Sequence, residues 1–399
     1  MELGFLNPII DRPGPWASVY FDTTWITEDA AARHELAARR VRDQLKEQGA
    51  DERACRAVYD TLVASARDSR TPGRVLFAAD GEVVLDEPLA APPPNGQQAF
   101  WGPLPHLTPL LDLMDAAPSC LVARIDRTGA DLELRGPGGT RDLGQVRGDD
   151  HPLHVTPSSS WHERHFQNSV ENTWERNAGV IAEALRERRA DTGADLVVLA
   201  GDGRECRAVR DRLATEVKEV CHIAEHGVRG PGRNQAEGER KLDEEIEALR
   251  ADHVRRHAAE VMDRFQSWRV PTDDGRVSAA EGVPALVDAV REHRVAALLI
   301  RPDGPDLHRE VWVGDGPDQV AVRRNDVQYL GDTHPVSARA DDALLRAAVA
   351  GGAEVISVGP LADEPDTPGG LPVGGLGALL RWPYGGPPAE GSTGGQPPS

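Results

Sequence analysis

The strongest constraint in this sequence is a run of three patterns in fixed order between residues 120 and 201. Cys120-Leu-Val-Ala-Arg-Ile-Asp126 and Ala130-Asp-Leu-Glu-Leu134 alternate with period 2 on either side of a turn at Thr128-Gly129, which reads as a β-hairpin. Phe166, Val170, Trp174, Ala178, Ile181 and Leu185 then recur at the spacing of one helix face. Ser160-x-x-Glu163 is a capping-box pattern at the head of that stripe, so a long amphipathic helix is expected to start near His162. Asp195-Leu-Val-Val-Leu-Ala-Gly201 closes the run as a buried strand, and a helix near 204–214 and a short strand near 217–223 follow. A chain that must bury a hairpin, a helix stripe and an apolar strand together is confined to an α/β layer.

The flanking stretches read the same way. Ala17-Ser-Val-Tyr-Phe-Asp-Thr23 has the β-branched and aromatic content of a strand, and helical stretches are expected over 28–48 and 52–68. Asp80-Gly81 between Arg74–Ala79 and Glu82–Leu85 is a tight-turn hairpin signal. An apolar helix is expected around 107–116. After a Gly/Pro/Arg linker, Gly227 to Arg233, a long charged helix is expected over 236–268, then a helix through Val283, Leu286, Val287 and Val290, strand Val295–Ile300, helix Asp341–Ala350, strand Glu354–Val358 and a last apolar stretch Leu376–Arg381. The expected fold class is α/β, with three consecutive α/β domains over 1–117, 118–226 and 227–384, the last an α/β/α sandwich, and a Gly/Pro/Ser tail over 385–399 expected to be disordered.

Charge narrows the function classes. The 399 residues carry 45 Lys and Arg against 65 Asp and Glu, a net −20. The balance is 11 basic against 18 acidic in 1–117, 15 against 19 in 118–226 and 19 against 28 in 227–399, so no stretch is basic. Binding of DNA or RNA through bulk charge is excluded, and any RNA contact has to be local. No apolar run is long enough to span a bilayer, and Met1 to Ile10 has no basic start and apolar core of a secretory leader, so no membrane is expected as partner. Cys55, Cys120, Cys206 and Cys221 are too widely spaced for a zinc ribbon or a disulfide framework, and a cytoplasmic location is expected. Gly136-Pro-Gly-Gly139 lacks the Lys-Ser/Thr of a P-loop. No cofactor or metal is expected.

The order of parts resembles a known family. The hairpin, long loop, long helix and strand ending in Gly201 are similar to the middle domain of archaeo-eukaryotic class-I peptide chain release factors and Pelota. Leu286-Val-Asp-Ala-Val-Arg-Glu-His-Arg-Val-Ala-Ala-Leu-Leu-Ile300 and Asp341-Asp-Ala-Leu-Leu-Arg-Ala-Ala-Val-Ala-Gly-Gly-Ala-Glu-Val-Ile356 are similar to their last domain, which has the kink-turn-binding ribosomal-protein fold. With Ala17–Asp22, Thr108-Pro-Leu-Leu-Asp-Leu113 and Gly374-Gly-Leu-Gly-Ala-Leu-Leu-Arg381, the chain resembles the bacterial branch of that group, family 2, over residues 15 to 384. Relatives there include mycobacterial dormancy-associated proteins and Balon-type ribosome hibernation factors. The resemblance implies a ribosome-associated, non-catalytic factor acting in or near the A site in stress or dormancy. Its implied partners are ribosomal RNA, tRNA, stalk-base proteins and an elongation-factor-like GTPase.

Release factors of this group hydrolyse peptidyl-tRNA with a Gly-Gly-Gln loop before the long helix. Anchored on Phe166, the corresponding tripeptide here is Ser159-Ser160-Trp161, so the hydrolytic motif is absent; Gly394-Gly395-Gln396 stands in the tail with no helix after it. His151, His154, His162 and His165 lie beside Ser158, Ser159, Ser160, Trp161 and Arg164 at a helix N-terminus, where free N–H groups favour phosphate. Three readings stay open for this polar loop, 136–160: a solvated loop whose serines cap the helix, an RNA contact in which Trp161 stacks on a base and Arg164 pairs with phosphate, or a His162/His165 metal pair without a third ligand. The RNA reading takes in His154, Ser159, Ser160, Trp161, His162, Arg164 and His165, with Arg229 and Arg233 of the linker and, beside them, Arg240 and Lys241. Two further function classes are carried: a peptidyl-tRNA hydrolase with a divergent loop, and a stress-induced interaction module without ribosome contact.

Overall fold

The computed structural model describes residues 4–24, 30–65, 71–89, 91–94, 96–113, 118–136, 139–148, 160–227, 235–273, 275–329, 331, 334–358 and 370–384; of residues 160–173 the backbone alone is described. In chain order its elements are α1 (Asn7–Ile10), β1 (Trp16–Asp22), α2 (Ala30–Glu47), α3 (Glu52–Ser65), β2 (Gly73–Ala79), β3 (Glu82–Leu89), β4 (Gln98–Gly102) and α4 (Leu110–Leu113). Next come β5 (Cys120–Asp126), β6 (Gly129–Gly136), β7 (Gly139–Arg147), α5 (Ser160–Thr192), β8 (Leu196–Gly201), α6 (Gly203–Arg212), α7 (Thr215–Lys218), β9 (Cys221–Ile223) and α8 (Gln235–Trp268). The chain ends with β10 (Val277–Glu281), α9 (Val283–Arg291), β11 (Val295–Ile300), β12 (Glu310–Val313), β13 (Val320–Ala321), α10 (Arg324–Tyr329), β14 (Val336–Arg339), α11 (Ala340–Ala350), β15 (Glu354–Ser357) and β16 (Leu376–Tyr384). The fold is mixed α/β, and the described chain forms two compact units, 1–115 with 258–399, and 116–257.

In the first unit, an antiparallel sheet ordered β3-β2-β1-β4 turns two apolar faces to two cores. Strand alternation explains this. Ala17, Val19 and Phe21 face Ala38, Val41, Leu45, Val58 and Leu62 of α2 and α3. Trp16 and Tyr20 on the opposite face join Leu286, Leu298, Leu344 and Leu345, so residues from both stretches of the unit share one continuous core. A second sheet, β10-β16-β11-β15, carries α9 and α11 on that core side and packs Val261 and Phe265 of α8 on the other. The type I′ turn is formed as its residues require, with Asp80 at φ 54° and Gly81 at φ 80°.

The second unit is a five-stranded sheet, β7-β6-β5-β8-β9, in which β5, β8 and β9 are parallel. Leu121, Ala123, Ile125, Val197 and Leu199 meet Ile181 and Leu185 of α5 and Cys206 and Val209 of α6. Cys120, Val122, Leu196, Val198 and Ala200 on the other face meet Leu242 and Ile246 of α8. Both faces of the sheet are covered by helices, as parallel pairing demands.

Three expectations are corrected, and one sheet is added. The polar loop 136–160 is in part a strand, β7, because Leu143 and Val146 find apolar contacts while its charged residues stand on an open edge. The strand expected over 217–223 is only Cys221–Ile223, since Thr215–Lys218 makes a helical turn that buries Val217. The helix expected over 107–116 starts only at Leu110, after buried Leu107 and Thr108; the turn Leu110–Leu113 is described, and residues 114–116 lie outside the described residues. The last stretch adds a three-stranded sheet, β13-β12-β14, that its short runs did not announce. Among the described residues, no helix is long and apolar enough to cross a membrane.

Candidate functional site

The candidate site is the entrance to α5. Strand β7 ends at Arg147, and the Gly148 N–H donates to the Thr128 carbonyl (2.8 Å), which fixes the chain where it leaves the sheet. Beside it, buried Asn177 of α5 donates through Nδ2 to the Arg127 carbonyl (3.1 Å). A Cβ at Gly148 would overlap the Asn177 amide, so glycine lets strand and helix meet there. Gly148→Ala is expected to lower stability by about 1–3 kcal/mol, because the amide must give up its partner or shift. Thermal unfolding of the variant, compared with Gly179→Ala in α5, where a Cβ would meet nothing, checks this.

Asn177 therefore marks the level at which α5 passes the carboxyl end of β5. From there back to Ser160 the 33-residue helix continues for about 25 Å at 1.5 Å per residue. The first half of α5 thus extends beyond the strand ends, with its N-terminus at the far end. Ser160, Trp161, His162, Arg164 and His165 lie in its first two turns, on a helix that begins at Ser160, two residues before the expected start. Their side chains, together with His154, Ser159, Arg229 and Arg233, lie outside the described residues. Arg240 and Lys241 are described, and each is paired within its own helix, with Glu244 and Glu237.

Two ionic groupings have no counterpart in the sequence reading. On the β5–β6 hairpin, Arg124 bridges Glu133 (2.8 Å) and Glu239 (2.7 Å), and Arg135 bridges Glu133 and Asp243 (2.6 Å each). Burial alone would raise the Glu133 carboxyl; the two guanidinium groups overcome it and hold it below the ordinary carboxylate range. These arginines are neutralised in place and offer no charge to an RNA.

In the first unit, Asp341 and Asp342 stand in the first turn of α11 with His106 beside them, and the three are buried. One ligand atom from each lies within 4.8 Å of the others, so by residue type the group could hold a cation. The contacts fill a different role. Asp342 accepts from His106 Nδ1 and from the Leu107 N–H (3.0 Å each), and Asp341 accepts from Thr108 Oγ1 (2.8 Å) and from Arg339 (3.0 and 2.6 Å). The Tyr20 hydroxyl donates to the His106 carbonyl (2.6 Å), and the His106 N–H donates to Ser18 Oγ (2.9 Å). The two carboxylates, favoured at a helix N-terminus, clamp residues 106–108 onto α11. Burial pushes the Asp342 carboxyl above its ordinary range, against the pull of His106.

Residues 119–269 match the model of the family described as bacterial archaeo-eukaryotic release factor family 2. Two proteins of Mycobacterium tuberculosis, "Uncharacterized protein Rv2629" and "Uncharacterized protein MT2704", are each 30% identical over 382 residues, covering 94% of this chain and 96% of theirs. Among solved structures, the chain is similar to the archaeal translation termination factor aRF1 (17% identity, TM-score 0.24, 95% of this chain and 96% of that one). It is also similar to Archaeoglobus fulgidus Pelota (13%, 0.33, 78% and 79%) and to ribosome-bound archaeal Pelota with ABCE1 (15%, 0.40, 78% and 83%).

Proposed function

This chain belongs to bacterial archaeo-eukaryotic release factor family 2, and from that premise we propose that it is a cytoplasmic, ribosome-associated translation factor that occupies the A site or its neighbourhood in stress or dormancy without cleaving peptidyl-tRNA. The observation that carries the reading is α5. It reaches about 25 Å past Asn177, and where release factors carry the hydrolytic Gly-Gly-Gln before the long helix this chain has Ser159-Ser160-Trp161. A tip of this length suits insertion into a narrow ribosomal site, and its serine and tryptophan supply capping and stacking rather than a water-orienting glutamine.

At a net charge of −20, long-range attraction to rRNA is unfavourable, so the complex depends on contacts at the tip and on protein partners. tRNA and the stalk base are the neighbours such a placement brings, and an elongation-factor-like GTPase is the delivery partner by family analogy. Sedimentation of extracts from starved and growing cells through sucrose gradients of stepped salt tests the reading. The protein should travel with ribosomal particles at low salt and leave them as salt rises; its absence from those fractions at low salt in both kinds of cell would refute it and favour an interaction module without ribosome contact.

A further inference from the structure

The second unit carries a cluster of cations at the end of the sheet opposite to the α5 tip. Strand β9 is an edge strand, and α6, α7 and α8 all bring basic side chains to its amino end. Helix α6 starts at the carboxyl end of β8 and runs back toward the amino end of β9, which brings exposed Arg210, and Lys218 of α7, within electrostatic range of Cys221, and Arg210 within range of His222. Helix α8 packs Leu242 and Ile246 on the sheet with Leu249 beside them, and His253 and Arg256 continue that stripe four and seven residues on. Its direction is given by Leu242 against Gly227 and by Arg250 Nε donating to the Pro118 carbonyl (3.0 Å), so the stripe ends at the amino ends of the strands.

His222 registers the result. Burial first, and then Arg256 and Arg210, hold its imidazole below the ordinary range, with His253 adding to them and Asp252 opposing. Countercharge reaches two of these residues, and both pairs are solvent-exposed. Lys218 has Asp211 at 3.8 Å, and Asp252 is shared between Arg256 (3.0 Å) and Arg255 (3.4 Å). Arg210 has no carboxylate partner among the described residues.

We propose that Arg210, Lys218, His222, His253 and Arg256 form a phosphate-binding patch for an RNA backbone, separate from the α5 tip. Arginine forks suit phosphate oxygens. No Phe, Tyr or Trp stands among the five, whereas an acidic protein partner would call for an apolar centre to the interface. Phosphate contacts need none and carry no sequence preference. With tip and patch at opposite ends of the sheet, the unit would touch RNA at two separate places. The choice of RNA as ligand class rests on the translational reading above.

The test uses the full chain and a fluorescein-labelled RNA duplex of about 16 base pairs, followed by anisotropy between about 50 and 200 mM salt. Arg210→Glu with Arg256→Glu should weaken binding roughly hundredfold at low salt and reduce the logarithmic salt slope by about 2. Arg210→Lys with Arg256→Lys retains the charge and should retain the slope, which separates lost phosphate contact from misfolding. Equal binding by wild type and the glutamate variant would overturn the proposal. So would displacement of the duplex by poly-glutamate at matched charge, which would make the patch a site for acidic protein. Cosedimentation of the same proteins with purified ribosomes is scored separately. Duplex binding that depends on the patch while no protein sediments would refute the ribosomal reading and leave the patch standing; sedimentation without such dependence would do the reverse.

Discussion

Asp342→Ala should loosen the first unit by about 3–5 kcal/mol, a large loss for a single side chain. The carboxylate is 4% exposed and serves His106 Nδ1 and the Leu107 N–H together, so its removal leaves two buried donors without an acceptor. His106 and Leu107 would then lose their hold on α11, while Thr108 remains bound to Asp341. Hydrogen exchange of amides in β1 and α11 reads the effect inside this unit; unchanged protection there would contradict it. The sign of the pH dependence follows from the raised Asp342 pKa. The folded chain takes up this proton more readily than the unfolded one, so the group's contribution is full below the ordinary carboxylate pKa of about 4 and is lost as pH rises through the raised value. Asp342→Asn keeps an acceptor for Leu107 and should remove that slope.

The second large effect belongs to the tip. Replacing Trp161 and His162 together by alanine should weaken ribosome binding by roughly ten- to a hundredfold, the amount that loss of base stacking with a neighbouring polar contact entails. Neither the wild type nor the variant should release peptide from peptidyl-tRNA in stalled complexes. Release by the wild type that disappears in a variant lacking His154, His162 and Trp161 would instead establish the hydrolase reading, with chemistry drawn from groups other than Gly-Gly-Gln.

Much of the architecture was legible because it rests on local patterns. The period-2 hairpin at Cys120–Leu134, the stripe Ala178, Ile181 and Leu185, and the apolar run Val295–Ile300 each lie in the element their spacing implies. Strand β7 was not legible: among nine residues only Leu143 and Val146 are large and apolar, and a register shift opposite Leu132 and Glu133 breaks its alternation. Strands β12 and β13 are four and two residues long, too short for a period to show. The clamp at His106 was invisible for another reason. His106 and Asp342 are separated by 236 positions, and nothing in a Pro-rich stretch distinguishes a histidine that finds a buried partner from one in water. The basic patch was hidden likewise, since Arg210, His222 and Arg256 sit in three elements of a unit whose overall charge is negative; only the antiparallel run of α6 and α8 against the strands brings them to one edge.

The central claim is that the start of α5 enters the ribosome where a release factor would act. A photo-crosslinking amino acid at position 161, activated on purified ribosomes carrying the full chain, tests it most directly. Crosslinks to large-subunit rRNA at the peptidyl-transferase centre are the predicted result. Crosslinks confined to ribosomal proteins or to distant rRNA, from protein that does travel with the particles, would contradict it.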